Sequence, residues 1–251
     1  MRYLLGLAII WVGLFASCED TKKASEETTS IASKKEKDSV ISKTENDSVL
    51  LKTDSVAISQ KSSKNPQTEI TNENAVSFFT DYGNNNPETS ATIQTQHGEI
   101  EIALFKDTPL HRANFIYLVK QGYFNGTYFH RVVKNFIIQG GNSDNVATVR
   151  KRNKIGKTYL LPAEIIPGRN HTYGTLSGAK EYRENPDNRT MPYEFFIFLG
   201  PQTSSAHLNE SYTIFGKVVR GMEVVEKIAN LPADEGDWPL QNVYIKGIIL
   251  R

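Results

Sequence analysis

One cysteine stands in the 251 residues. No intramolecular disulfide can form from it, and no cysteine-rich zinc site can be built. His, Asp and Glu nowhere fall at metal-ligand spacing either. No glycine-rich loop of the phosphate-cradling kind occurs, so no cofactor is expected. Charge of one sign is not in excess: 29 Lys and Arg face 28 Asp and Glu, a net +1. No global field therefore points to nucleic acid or to an acidic partner. The one basic run, Arg150-Lys151-Arg152 with Lys154, has no stacking aromatics beside it and is expected in an irregular, solvated stretch from Ser143 to Tyr159. No aromatic residue occurs between Phe15 and Phe78. There Ser, Thr, Lys and Glu dominate, and such a segment cannot bury enough apolar surface to offset its ordering entropy. It is expected to be disordered and to act as a tether. Long apolar runs are also scarce. Tyr3 to Phe15 is the longest without charge, and it is shorter than the roughly 20 residues a membrane span needs.

What is present begins at that run. Arg2, the apolar stretch, and the small residues Ala16-Ser17 form a secretory signal peptide. The small residues directly precede Cys18, and this resembles a bacterial lipoprotein cleavage site. On that resemblance Cys18 becomes the lipid-bearing first residue of a chain held on a membrane in the bacterial cell envelope. The alternatives are an uncleaved anchor, or an ordinary signal with a stray cysteine. Within the tether, Asp-Ser-Val recurs at Asp38-Ser39-Val40, Asp47-Ser48-Val49 and Asp54-Ser55-Val56. The triplets resemble an O-glycosylation acceptor found in some bacteria; chance recurrence in a Ser-rich tract is the equal alternative.

The organisation expected is a signal peptide over 1–17, a tether over 18–71, a short helical extension over 72–90 and a folded domain over 91–251. In the extension, Ala75, Phe78, Phe79 and Tyr82 fall at i, i+3, i+4 and i+7 before Gly83. This predicts a helix that docks on the domain through its aromatic stripe. From Ile93 to Phe105 two alternating strands flank a turn at His97-Gly98. Thr108 and Pro109 read as the cap and first position of a helix running to about Gln121. Gly174 to Ala179, Glu194 to Phe198, Thr213 to Val219 and Gln241 to Leu250 read as further strands, with a second amphipathic helix from Gly221 to Ala229. Many short strands with two good helices argue for a closed antiparallel barrel.

The most informative run is Tyr128-Phe129-His130-Arg131-Val132-Val133-Lys134-Asn135-Phe136-Ile137-Ile138-Gln139-Gly140-Gly141-Asn142. It predicts strand, tight turn at Lys134-Asn135, and strand. Alternation places Phe129, Arg131 and Val133 on one face. The run resembles the signature of the cyclophilin family of peptidyl-prolyl isomerases: Phe-His-Arg, two aliphatics, a turn, Phe, a hydrophobe, any residue, Gln-Gly-Gly. The resemblance extends from about Ala91 to Arg251. It implies a mainly β fold, an eight-stranded antiparallel barrel capped by two helices, acting on X-Pro bonds in unfolded or partly folded polypeptides, and a monomer is expected. It also implies that Arg131 is catalytic and that Phe136, Ile137, Phe196, Leu208 and Tyr212 line a proline slot. Gln139, Ala179 and Lys180 would meet the substrate main chain.

Several positions depart from the family pattern. Glu194 stands where the family usually has Gln, which suggests a carboxylate that pairs with Arg131 and either orients it or competes with substrate. Lys180 replaces a frequent Asn, and His207 and Tyr212 replace a frequent Trp and His. The segment from Lys180 to Tyr193 is long enough to overhang the groove. His130 is expected to be structural, since the reaction needs no proton transfer. The rival to an enzyme is a peptide-binding module or chaperone of weak activity, with Glu194 as the cause.

Overall fold

The computed structural model describes residues 69–180 and 184–251. The expected signal peptide, Cys18, the Asp-Ser-Val triplets and nearly all of the expected tether lie outside the described residues, as do residues 181–183 of the segment expected to overhang the groove. Eight strands form the fold: β1 (Ser90–Thr95), β2 (Gly98–Leu104), β3 (Thr127–Val133), β4 (Ile137–Asn142), β5 (Thr175–Gly178), β6 (Phe195–Phe198), β7 (Ile214–Arg220) and β8 (Val243–Leu250). They close into an antiparallel barrel in the order β1-β2-β7-β5-β6-β4-β3-β8, with β8 paired back to β1. β2 shows why such a sheet closes. Ile100, Ile102 and Leu104 are buried on its inner face while Glu99 and Glu101 stay outside, the period-2 pattern of a half-buried strand. Closure also removes the free edges that an open sheet would expose.

Among the described residues four α-helices accompany the barrel: α1 (Ala75–Asn84), α2 (Pro109–Lys120), α3 (Val146–Ile155) and α4 (Met222–Ala229). α2 and α4 are the two helices expected of the domain. α1 is the expected aromatic extension. Its Phe78 and Tyr82 meet Tyr117 of α2 edge-on, with ring centroids 5.2 and 5.1 Å apart. Ile70 and Phe79 are fully buried in the same core as the barrel.

Two local expectations are corrected. The stretch after β4 is helical rather than irregular. Asn145 caps α3 by accepting a bond from the Ala147 N–H at 2.9 Å, and Thr148 and Ile155 face inward. Its basic residues are anchored as well as solvated: Lys151 Nζ donates to the carbonyls of Gly122, Tyr123 and Asn125. Thr108, in turn, makes no side-chain cap on α2. Glu164 does so from a distant loop, accepting the N–H groups of Leu110 at 3.0 Å and His111 at 2.9 Å. A carboxylate satisfies two of the helix's orphan donors and also complements its dipole.

Candidate active site: an apolar groove edged by Arg131

The β3–β4 hairpin carries the groove, and its register explains how. Tyr128 pairs with Asn142, Phe129 with Gly140, and Arg131 with Gln139. One residue on each strand is therefore extra, Gly141 on β4 and His130 on β3. Such bulges re-aim side chains. Here they break the expected alternation: Phe129 joins the main core, while Val133 packs against the groove's own apolar cluster. Gly141 takes φ +100°, and a Cβ on it would lie 2.2 Å from the Tyr193 carbonyl oxygen. Only glycine allows that approach. The hairpin turn is closed by Phe136 N–H donating to the Val133 carbonyl at 3.0 Å, with Asn135 in the left-handed region at φ 57°, which Asn tolerates.

Nine of the residues singled out from the sequence line one groove: Arg131, Phe136, Ile137, Gln139, Ala179, Lys180, Phe196, Leu208 and Tyr212. Its floor is a separate apolar cluster of Ile137, Phe196, Phe198, Leu208 and Tyr212. The rings set its shape. Tyr212 meets Phe196 edge-on at 5.5 Å, and Phe136 meets Phe198 edge-on at 5.9 Å. His171 stacks beneath Phe196 at 5.8 Å and is itself held by Ser177 and Asn209. His207 stands at the rim, stacked on Phe136 at 5.6 Å. Across the mouth, Lys180 places its ammonium 4.6 Å from the centre of the Tyr212 ring and donates to Asn188 Oδ1. Desolvation lowers the Lys180 pKa from its ordinary value.

Arg131 holds the opposite edge, with its side chain 40% exposed. Its partner is Asp237, not Glu194. Arg131 Nε and one terminal nitrogen lie 3.2 and 3.1 Å from Asp237 Oδ2. Asp237 sits at φ 64° in a turn that Asp234 organises by accepting the Gly236 and Trp238 N–H groups. The Asp237 carbonyl also accepts the Val132 N–H at 2.8 Å, which ties the turn to β3. A turn-forming run, Asp234-Glu235-Gly236-Asp237, is the sequence's hint of this contact.

Glu194 is the main correction to the expected site. It lies one layer below the groove, its side chain 10% exposed. Gln139 Nε2 donates to its Oε2 at 2.8 Å, and Asn142 Nδ2 donates to its Oε1 at 2.9 Å. His130 Nε2 and an Arg152 terminal nitrogen stand 3.4 and 3.6 Å away. Burial works to raise the Glu194 pKa, but the bonds and charge from His130, the Gln139 amide and Arg152 outweigh it and hold the carboxyl below its usual range. A carboxylate with four donors around it has no need of Arg131. Among the described residues no cluster of three or more His, Cys, Asp or Glu could hold a metal.

An apolar slot with a cation at its edge and the Gln139 amide alongside can seat a ring and polarise the amide next to it. Comparison with known proteins places the fold in a family. Residues 90–249 match the family described as cyclophilin type peptidyl-prolyl cis-trans isomerase/CLD. A peptidyl-prolyl cis-trans isomerase-like 3 from Dictyostelium discoideum is 36% identical over 163 residues, 64% of this chain and 95% of the relative. A peptidyl-prolyl cis-trans isomerase from Acinetobacter baylyi is 38% identical over 149 residues, 57% of this chain and 73% of the relative. A Cryptosporidium parvum cyclophilin-type isomerase, solved in the presence of the dipeptide Ala-Pro, superposes with a TM-score of 0.54 at 30% identity, covering 64% of this chain and 98% of that one. The chain belongs to the cyclophilin-type peptidyl-prolyl cis-trans isomerases.

Proposed function

We propose that Arg131 catalyses cis–trans interconversion at X-Pro bonds by stabilising the twisted amide, and that the chain assists the folding of secreted or envelope proteins. The observation that carries this reading is the junction, in one groove, of an apolar floor with a guanidinium whose position Asp237 fixes. Rotation about the bond is opposed by amide resonance, with a barrier of about 18–20 kcal/mol. At the twisted state the resonance is lost and the proline nitrogen regains a lone pair. A donor held at that nitrogen binds the twisted state better than either planar one, and only such differential binding accelerates the step. Arginine suits the task because it stays charged and its planar fork can engage Asp237 with some donors while others face the groove. The proline ring would rest on Phe136, Ile137, Phe196, Leu208 and Tyr212, with Gln139, Ala179 and Lys180 along the peptide.

The test is isomerisation of a short X-Pro peptide by the full chain beside Arg131→Ala. The substitution is expected to lower kcat/KM about 10²-fold, the scale of one lost electrostatic donor, while peptide affinity changes little. A kcat/KM that is undiminished in the mutant would overturn the assignment. Binding without turnover in the parent would make the groove a peptide-binding module instead.

The cellular setting is part of the same proposal. Uncatalysed X-Pro isomerisation takes tens to hundreds of seconds and can limit folding, so an isomerase tethered where secreted chains emerge would act on that step. The support is the sequence: a signal-peptide pattern ending at Cys18, then a tether poor in apolar residues. The chain is expected to take up labelled palmitate in a bacterial host, and Cys18→Ser to abolish the label. Equal labelling of both forms would rule out Cys18 as the lipidated residue, and no label in either would remove the lipid anchor.

A further inference from the structure

Below the groove, Glu194 imposes a polarity on the residue above it. An ionised carboxylate only accepts hydrogen bonds, whereas a side-chain amide has one end that donates and one that accepts. Glu194 Oε2 is filled by Gln139 and Oε1 by Asn142. Every other polar group turned toward it is also a donor: His130 from β3 and Arg152 from α3. The Gln139 amide can therefore meet Glu194 only through its Nε2. Its Oε1 is left for the groove, and among the described residues no donor reaches it. A glutamine at position 194, as the family usually has, would impose no such choice, because two amides can pair in either sense.

We propose that Glu194 is a positioning residue that locks Gln139 with its carbonyl oxygen toward the groove, so that the site selects peptides offering a backbone N–H donor there. The inference rests on the reading of this groove as the peptide site. Proline has no N–H, so the candidates are the N–H of the residue before it and that of the residue after it. Arg131 and Gln139 are directly paired across β3 and β4. An arginine at the proline nitrogen therefore brings Gln139 within a residue of that bond. Asn142 holds its amide in the same sense, with Nδ2 on Glu194 and Oδ1 accepting the Ser143 N–H at 2.8 Å. A site built to receive a donor discriminates strongly against a ligand that lacks it, because the acceptor is then left unpaired against the substrate.

The experiment uses the full chain and three peptides: a parent Ala-Ala-Pro-Phe sequence, and two depsipeptides in which an ester oxygen replaces the N–H before or after proline. In the wild-type chain one of the two esters is expected to lose at least about tenfold in kcat/KM relative to the parent. In Glu194→Gln that ratio should fall to threefold or less, because Gln139 can now reverse. The ratio is independent of the fraction of folded protein, so a purely structural role for Glu194 would not move it. Gln139→Met removes the acceptor while keeping the shape of the side chain, and should also bring the ratio near one. It serves if Glu194→Gln does not fold. Turnover of the parent peptide checks the groove reading itself, and its absence would overturn both proposals. Turnover with no ester penalty, or with the same penalty in wild type and Glu194→Gln, would overturn the Gln139 assignment alone.

Discussion

Gly141 shows how closely backbone and site are coupled at the level of one residue. It is the extra residue on β4, it takes φ +100°, and its α-carbon faces the Tyr193 carbonyl with no room for a methyl group. Tyr193 immediately precedes Glu194, and Gln139 lies two residues before Gly141. The close approach is thus what seats the buried carboxylate under the glutamine amide. Gly141→Ala combines backbone strain with a backbone clash, and neither can be relieved by turning a side chain. It is expected to cost about 3 kcal/mol, read as a fall in the urea midpoint with an unchanged slope. A cost below about 1 kcal/mol would mean that the two segments part easily, and the seat of Glu194 would then not depend on the bulge. Arg131 and Asp237 make the opposite case. Both side chains are 40% exposed, so their pair contributes little to stability, and its consequence lies in where the guanidinium points.

At the scale of elements, what was legible in the sequence had local causes. The β1–β2 hairpin follows from alternation around Gly98, which takes φ +135°. α2 starts at Pro109 because proline's fixed φ and missing N–H suit a first helical position, and it ends before Gly122 at φ +63°. The groove set was legible for a different reason: a dense motif fixes residue types over a continuous run. What was not legible depends on contacts made far along the chain. The cap on α2 comes from Glu164, more than fifty residues on. α3 has a polar, basic composition and only Thr148 and Ile155 fully inward. Its stability draws on Lys151 bonded to three carbonyls between Gly122 and Asn125, and on Arg152 set 5.2 Å from the Tyr193 ring centre. No period in the sequence announces such partners. Asp237 stands 106 residues from Arg131 and becomes its neighbour only when the barrel closes. The sequence put the extra carboxylate of the site at Glu194 beside Arg131; the fold seats Glu194 under Gln139 and supplies Asp237 instead.

Across the whole molecule, the folded unit is larger than the barrel its family shares. The family match begins at residue 90, where β1 starts and where Ser90 exchanges two backbone hydrogen bonds with Arg251 to close the sheet on itself. Yet the core runs further back. Phe79 is fully buried, with the rings of Tyr117 and Tyr159 at 6.0 and 5.7 Å. Ile70 donates its N–H to the Ile155 carbonyl at 2.9 Å, which joins the start of the described chain to the end of α3. If α1 shares the core, it should share the unfolding transition. Phe79→Ala removes a buried ring and leaves a cavity, at a cost of about 3–5 kcal/mol. With roughly 2–4 °C lost per kcal/mol for a domain of this size, the melting temperature should fall by about 10 °C. Far-UV circular dichroism, which sees the helices, and fluorescence of Trp238, which lies beside β3 in contact with Tyr128 and His130, should still give one coincident transition. An early loss of helix signal with the Trp238 transition unmoved would make α1 a separable attachment. Coincident transitions shifted together would mean that residues upstream of the family boundary stabilise the strand that carries Arg131.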